Sequence, residues 1–153
     1  MKKNTIEFED IIGRYFNLKI NNQNYRIYVE EAGSGIPMVC LHTAGSDGRQ
    51  FRHILNDKKI TDKYRVIVFD LPWHGKSNPP EGYEDLDYKL TTNFYKQIIM
   101  SFCNKYELVK PVIMGCSMGG RVVLHLALEH NEYFRAVIAL EGSDKLEPYY
   151  DLD

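Results

Sequence analysis

Four short runs of consecutive apolar residues punctuate the chain, at 38–41 (Met-Val-Cys-Leu), 66–69 (Val-Ile-Val-Phe), 112–114 (Val-Ile-Met) and 136–140 (Ala-Val-Ile-Ala-Leu). None of them alternates with polar residues. A strand covered on both faces has no solvent side and needs no polar positions, so the four runs predict interior strands of a parallel sheet. The segment before them has another pattern. Apolar and polar residues alternate over 16–20 and again over 25–31, on either side of Asn21-Asn22-Gln23-Asn24. That pattern predicts an antiparallel hairpin made of two edge strands.

Between the apolar runs the spacing changes from two to about four. Leu86, Leu90, Phe94, Ile98 and Phe102 recur at every fourth position and predict a helix over 85–105 with one apolar stripe. A shorter helix is expected over 49–56. Residues 118–130 are apolar nearly all round, with Val122, Val123, Leu124, Leu126, Ala127 and Leu128, and predict a buried helix lying on the sheet. Strands alternating with helices define a doubly wound α/β arrangement. With no internal repeat, low-complexity tract or linker, residues 1–153 read as a single domain.

Composition narrows the function classes. At 153 residues, 44% hydrophobic and 12% aromatic, the chain can build a true core. Its formal net charge of -2, with both signs interspersed, provides no single-sign field for nucleic acid or an anionic membrane, so a small-molecule partner is expected. The first residues lack the apolar stretch of a secretory signal, and no run reaches membrane-spanning length. Cys40, Cys103 and Cys116 show no CxxC or metal-ligand spacing. They read as buried thiols of a reducing cytosol, and neither a metal nor a cofactor is expected.

One motif carries chemistry. Gly115-Cys116-Ser117-Met118-Gly119 follows the apolar run at 112–114 and opens the apolar helix at 118–130. A G-x-S-x-G pattern arises by chance in about one chain in twenty of this length, given ordinary Gly and Ser usage, but the strand and helix around it make the coincidence much rarer. In this context the serine stands on a sharp strand-to-helix bend, a nucleophile elbow. Glycines on either side remove side chains that would collide there, and the helix N-terminus favours a developing negative charge.

Two further loops fall after earlier strands: Leu41-His42-Thr43-Ala44-Gly45-Ser46 and Asp70-Leu71-Pro72-Trp73-His74-Gly75-Lys76-Ser77. With the elbow, these resemble the His-Gly-x oxyanion loop and the D-x-x-x-H-G-x-S loop of the α/β-hydrolase family, in the family's order and over about 16–153. The resemblance implies a mostly parallel α/β-hydrolase core with an N-terminal antiparallel hairpin. It implies Ser117 as the catalytic nucleophile and an oxyanion hole from the backbone amides of Met118 and Ala44, with Thr43 the alternative donor where the family usually has glycine. His42 is expected to buttress the oxyanion loop at the edge of the substrate site, and Trp73, in place of a commoner glycine, to line the substrate pocket. Asp70 and His74 are expected to be structural.

The same resemblance shows what is lacking. The family's chain order is Ser, then Asp or Glu, then a late His on a loop after the last strand. The five histidines here are His42, His53, His74, His125 and His130, none of which follows the apolar run at 136–140. Glu141, directly after that run, is the candidate acid. The tail Leu146-Glu147-Pro148-Tyr149-Tyr150-Asp151-Leu152-Asp153 would lead toward a cap, so the chain reads as a C-terminally incomplete domain lacking its last strands and cap. The expected activity is serine hydrolysis of an ester, thioester or related carbonyl through an acyl-enzyme at Ser117, with the isolated chain nearly inactive. The alternative is a non-catalytic small-molecule-binding protein on a hydrolase scaffold.

Overall fold

The computed structural model describes residues 6–87 and 90–143, so the tail at 146–153 lies outside the described residues. Six strands form one sheet: β1 (Ile12–Ile20), β2 (Gln23–Ala32), β3 (Ile36–Leu41), β4 (Tyr64–Asp70), β5 (Val112–Cys116) and β6 (Ala136–Leu140). Their spatial order is β1-β2-β4-β3-β5-β6. β1 and β2 are antiparallel, as are β2 and β4, while β3 pairs with β4 and β5, and β5 with β6, in parallel.

The hairpin turns on two residues. Asn21 and Asn22 both take positive φ, 47° and 65°. Two left-handed residues in succession give a turn whose twist matches the flanking strands, and asparagine tolerates that conformation better than most residues. Ile20 therefore pairs with Gln23, and Leu18 and Ile20 turn inward together with Tyr25 and Ile27. Of the two hairpin strands, only β1 is an edge strand. β2 pairs on its other side with β4, which corrects the expectation of two edges: Arg26, Tyr28 and Glu30 alternate outward while the backbone is paired on both sides.

The helices divide between the two faces. α3 (Thr92–Lys105) and α4 (Met118–Glu129) cover one face, where Ile27, Val39, Ile67, Phe69 and Ile113 meet Ile98, Phe102, Val123 and Leu126. A single-turn 3-10 helix (Gly48–Phe51) and two short helices, α1 (Arg52–Asn56) and α2 (Lys58–Thr61), lie on the other side of the sheet. There Phe51 and Leu55 close over Cys40, Val66, Val68 and Met114. The interior strands carry apolar residues at every position because each serves two cores. Cys40 and Cys103 are among these buried residues, and burial pushes both thiols up to about 12.

Two expectations are corrected. The helix predicted from 85 begins at Thr92, because Thr91 caps it: the Thr91 hydroxyl accepts the Phe94 amide at 3.1 Å. Leu86 belongs to a preceding turn and is exposed, although its spacing continues the stripe. The run at 136–140 does form a strand parallel to β5, but it is not covered on both faces. Val137 and Ala139 pack on the core, whereas Ile138 and Leu140 are 38% and 45% exposed. β6 is the outermost strand, and among the described residues no element lies over its second face.

Lys96 on α3 is nearly buried and bonds Glu129 of α4 at 2.5 Å, which fixes the two helices against each other. Replacing Thr91 with alanine is expected to lower stability by about 1 kcal/mol, since the Phe94 amide loses its acceptor. Urea unfolding of the variant beside the parent checks this.

Candidate active site

β5 ends at Cys116 and α4 begins at Met118, so the whole change of direction falls on Ser117, whose φ is 51° and ψ -110°. A side chain other than glycine rarely occupies this region, and the cost is on the order of 1–3 kcal/mol. The surroundings hold it there. The Ser117 amide donates to the Leu140 carbonyl of β6 at 2.8 Å, and the Ser117 carbonyl accepts the Arg121 amide at 2.8 Å. The Ser117 side chain does not cap α4.

Glycines make the close approach possible. A methyl group on Gly115 would run into the Gly119 backbone, and one on Gly119 would strike the carbonyls of Leu41 and His42. The second contact presses the first turn of α4 onto the loop after β3, which carries the expected oxyanion donor. Gly120 in turn lies against Leu140 and Gly142, which brings the loop after β6 to the same place.

These approaches enclose a cavity of about 190 Å³ whose wall includes Ala44, Ser117, Met118, Arg121 and Glu141, with Leu90 and Thr92 from the start of α3. Ala44 and Met118 thus share a cavity with the serine hydroxyl. Thr43 does not present its amide there, because that amide donates to Gln50 Oε1 at 2.9 Å. The first amides of α4, Met118 among them, have no intrahelical acceptor, and they open at the cavity that Ala44 and Ser117 also line. Gln50 was not a candidate on sequence, since nothing in its local pattern shows which amide it meets.

Histidine 42 is structural. It is fully buried, its Nε2 accepts the Leu71 amide at 3.0 Å, and its Nδ1 lies 2.8 Å from the Thr43 carbonyl. Accepting at Nε2 puts the proton on Nδ1, which donates to Thr43. Both nitrogens are engaged, and the ring joins the β3 and β4 loops without facing the cavity. The ring therefore sits behind the oxyanion loop and off the cavity wall, with neither nitrogen open to Ser117. Burial is the main reason its pKa lies below the ordinary histidine value, against a raising effect of the Thr43 bond.

Trp73 packs against a neighbouring aromatic side chain. Its φ of 71° explains why glycine suits this position, and its ring meets Tyr83 edge-on with centroids 5.6 Å apart. It is not on the cavity wall. Asp70 organises the same loop: one carboxylate oxygen accepts the Gly48 amide and the other the Lys76 amide, each at 2.7 Å, and its carbonyl accepts the Ser77 hydroxyl. The Ser77 oxygen accepts the Tyr28 amide at 2.9 Å, so the loop is stitched to β2. The His74 ring is tilted against that of His42, with ring centroids 4.9 Å apart.

Glu141 is exposed, takes a φ of 50° directly after β6, and lines the cavity. Arg121 was missed on sequence. The helix at 118–130 is not apolar all round: Arg121, His125 and Glu129 recur at every fourth position, a polar stripe within an otherwise apolar pattern. His125 Nε2 is buried without a hydrogen-bond partner among the described residues.

Comparison with known proteins agrees with this geometry. The family model described as the alpha/beta hydrolase fold matches residues 36–153, and the chain belongs to that family. It is similar to the uncharacterized hydrolase YugF of Bacillus subtilis, 28% identical over 110 residues that cover 72% of this chain and 38% of that protein. It is also similar to the pimeloyl-[acyl-carrier protein] methyl ester esterase of Vibrio cholerae, 26% identical over 121 residues, 78% of this chain and 42% of that one. The structure of a thermophilic esterase from Thermogutta terrifontis superposes with a TM-score of 0.76 at 21% identity, over 88% of this chain and 47% of the other, a likeness of fold. The chain spans about two fifths of the length of these curated relatives.

Two outcomes follow from the contacts. Gly119→Ala is expected to cost about 1–3 kcal/mol, because the added methyl group meets backbone and not a side chain that can turn away. Chemical denaturation measures the loss. The fold also holds His42 neutral with a pKa below that of the unfolded chain. Its contribution is therefore complete above the ordinary histidine value of about 6.5 and is lost as pH falls below it. Melting temperature is expected to drop as pH is lowered from 7 to 5, and to drop less steeply in His42→Gln.

Proposed function

We propose that this chain carries the nucleophile and oxyanion hole of a serine hydrolase acting on an ester, thioester or related carbonyl of a small molecule. The observation that supports this reading best is the strained Ser117, held at a helix N-terminus in a cavity it shares with Ala44 and Met118. Ser117 attacks the carbonyl carbon and the two amides stabilise the oxyanion; as the tetrahedral species collapses, the bond to the alcohol or thiol breaks and that group leaves with the proton taken from Ser117, after which water hydrolyses the acyl-enzyme to the free acid. Glu141, on the cavity wall, is the candidate carboxylate.

The attack needs a base to take the hydroxyl proton, and histidine is the usual one. None of the chain's five histidines lines the Ser117 cavity, and none lies in the segment after residue 143. The base therefore comes from outside residues 1–153, and the chain by itself turns over orders of magnitude more slowly than the completed site. In this reading residues 1–153 are one incomplete hydrolase domain. The buried, unpaired thiols of Cys40 and Cys103 fit a reducing, cytoplasmic setting, whereas Cys116 is only partly buried.

A fluorophosphonate probe tests the assignment. The chain is expected to be labelled slowly at Ser117, faster with imidazole supplied in solution as the missing base, and not at all in Ser117→Ala. Labelling that persists in Ser117→Ala, or that fails even when a histidine-bearing remainder of the fold is present, sinks it. In the second case the cavity is a binding site without chemistry.

A further inference from the structure

The two ends of the sheet are built differently. β1, the edge on one side, carries Arg14 and Lys19 along its length. Charged side chains on an exposed edge, lysine above all, keep foreign strands from pairing with it. β6, the edge on the other side, has no such device: Ala136-Val137-Ile138-Ala139-Leu140 contains no charge, proline or glycine. Its second face is bare as well, with Ile138 and Leu140 exposed. A strand of this kind is a template for another strand. Only its flanks are charged. Arg135 stands directly before it and Glu141 directly after it, and both are exposed.

We propose that β6 pairs antiparallel with β6 of a second copy of this chain, about a two-fold axis that passes through Ile138. The flanking charges select both the occupant and the register. A strand with a positive residue before it and a negative one after it is complementary to its own reverse. With Ile138 facing Ile138 of the second copy, Ala136 faces Leu140, Val137 faces Ala139, and Arg135 of each copy comes opposite Glu141 of the other. A parallel copy in the same register would set Arg135 beside Arg135 and Glu141 beside Glu141, which is repulsive at both ends. Facing residues share one side of a sheet, so Ala136, Ile138 and Leu140 of the two copies shield one another in a single apolar strip. Val137 and Ala139 keep their packing on the core face, where α4 lies in each copy. A two-fold contact of this kind occupies the free edge of both copies and stops at the dimer. The pairing does not depend on the chemistry at Ser117, although Glu141, on the wall of that cavity, gains a counter-charge from the second copy.

Sedimentation velocity of the 153-residue chain over a wide range of concentration tests this. The chain is expected to pass from monomer to dimer as concentration rises, and to go no further. Arg135→Glu sets like charges opposite each other at both ends of the pairing and is expected to weaken the dimer about tenfold or more, and Glu141→Arg to do the same. The two single reversals move the net charge in opposite directions, so a shared loss reports the pair and not the overall charge. The double reversal, Arg135→Glu with Glu141→Arg, is expected to recover the parent's dissociation constant. Ile138→Lys, which brings two ammonium groups face to face on the axis, is expected to leave the chain monomeric. A parent that stays monomeric at every concentration, as it does if the edge is reserved for a strand of different sequence, overturns the proposal. So does assembly beyond the dimer, a dimer indifferent to both single reversals, or a folded double variant that does not recover. The parent's behaviour decides the matter even if a variant does not fold.

Discussion

Ser117 occupies backbone angles that a serine avoids, and the rest of the site depends on its being kept there. Local sequence alone cannot keep it, because a free chain relaxes such a residue into the extended or helical region. The restraint comes from three sides. β6 accepts the Ser117 amide, α4 returns an amide to its carbonyl, and backbone meets backbone at Gly115, Gly119 and Gly120. The strain and the small side chains belong together: the turn is sharp only because helix, strand and neighbouring loop approach more closely than any Cβ permits.

The same close packing aligns groups that are distant along the chain. Pressing Gly119 against Leu41 and His42 puts the loop after β3 beside the helix N-terminus, so Ala44 joins Met118 at the cavity. That loop is held from behind by residues whose types suggest catalysis. His42 spends both nitrogens on backbone groups of two loops, and Asp70 spends both carboxylate oxygens on amides at Gly48 and Lys76. Buried polar side chains with every group satisfied make rigid joints, and rigidity is what an oxyanion site requires of its support.

The electrostatic character of the cavity follows from topology. In a doubly wound sheet, the turns at the carboxyl ends of the strands lead into helices, so helix N-termini gather at that edge. α3 and α4 both begin at the cavity, and Arg121 lies on its wall. Glu141 faces the same space from the exposed side, where its charge is spread into solvent.

Some of this architecture was written in short stretches of sequence. The two asparagines at 21 and 22 define the hairpin turn because left-handed backbone is a local property, and the unbroken apolar runs mark strands with a core on each side. The glycines around Ser117 place the elbow for the same local, steric reason. Other features were decided by tertiary structure, since they depend on which distant segments meet. Nothing near Thr43 shows that Gln50 occupies its amide, nothing near His42 that Leu71 takes its Nε2, and nothing near Trp73 that its ring turns to Tyr83. The apolar pattern at 136–140 is that of an interior strand, and only the sheet order shows it outermost. A local pattern records what each segment can bury; the assembled fold decides what it does bury, and against which partner.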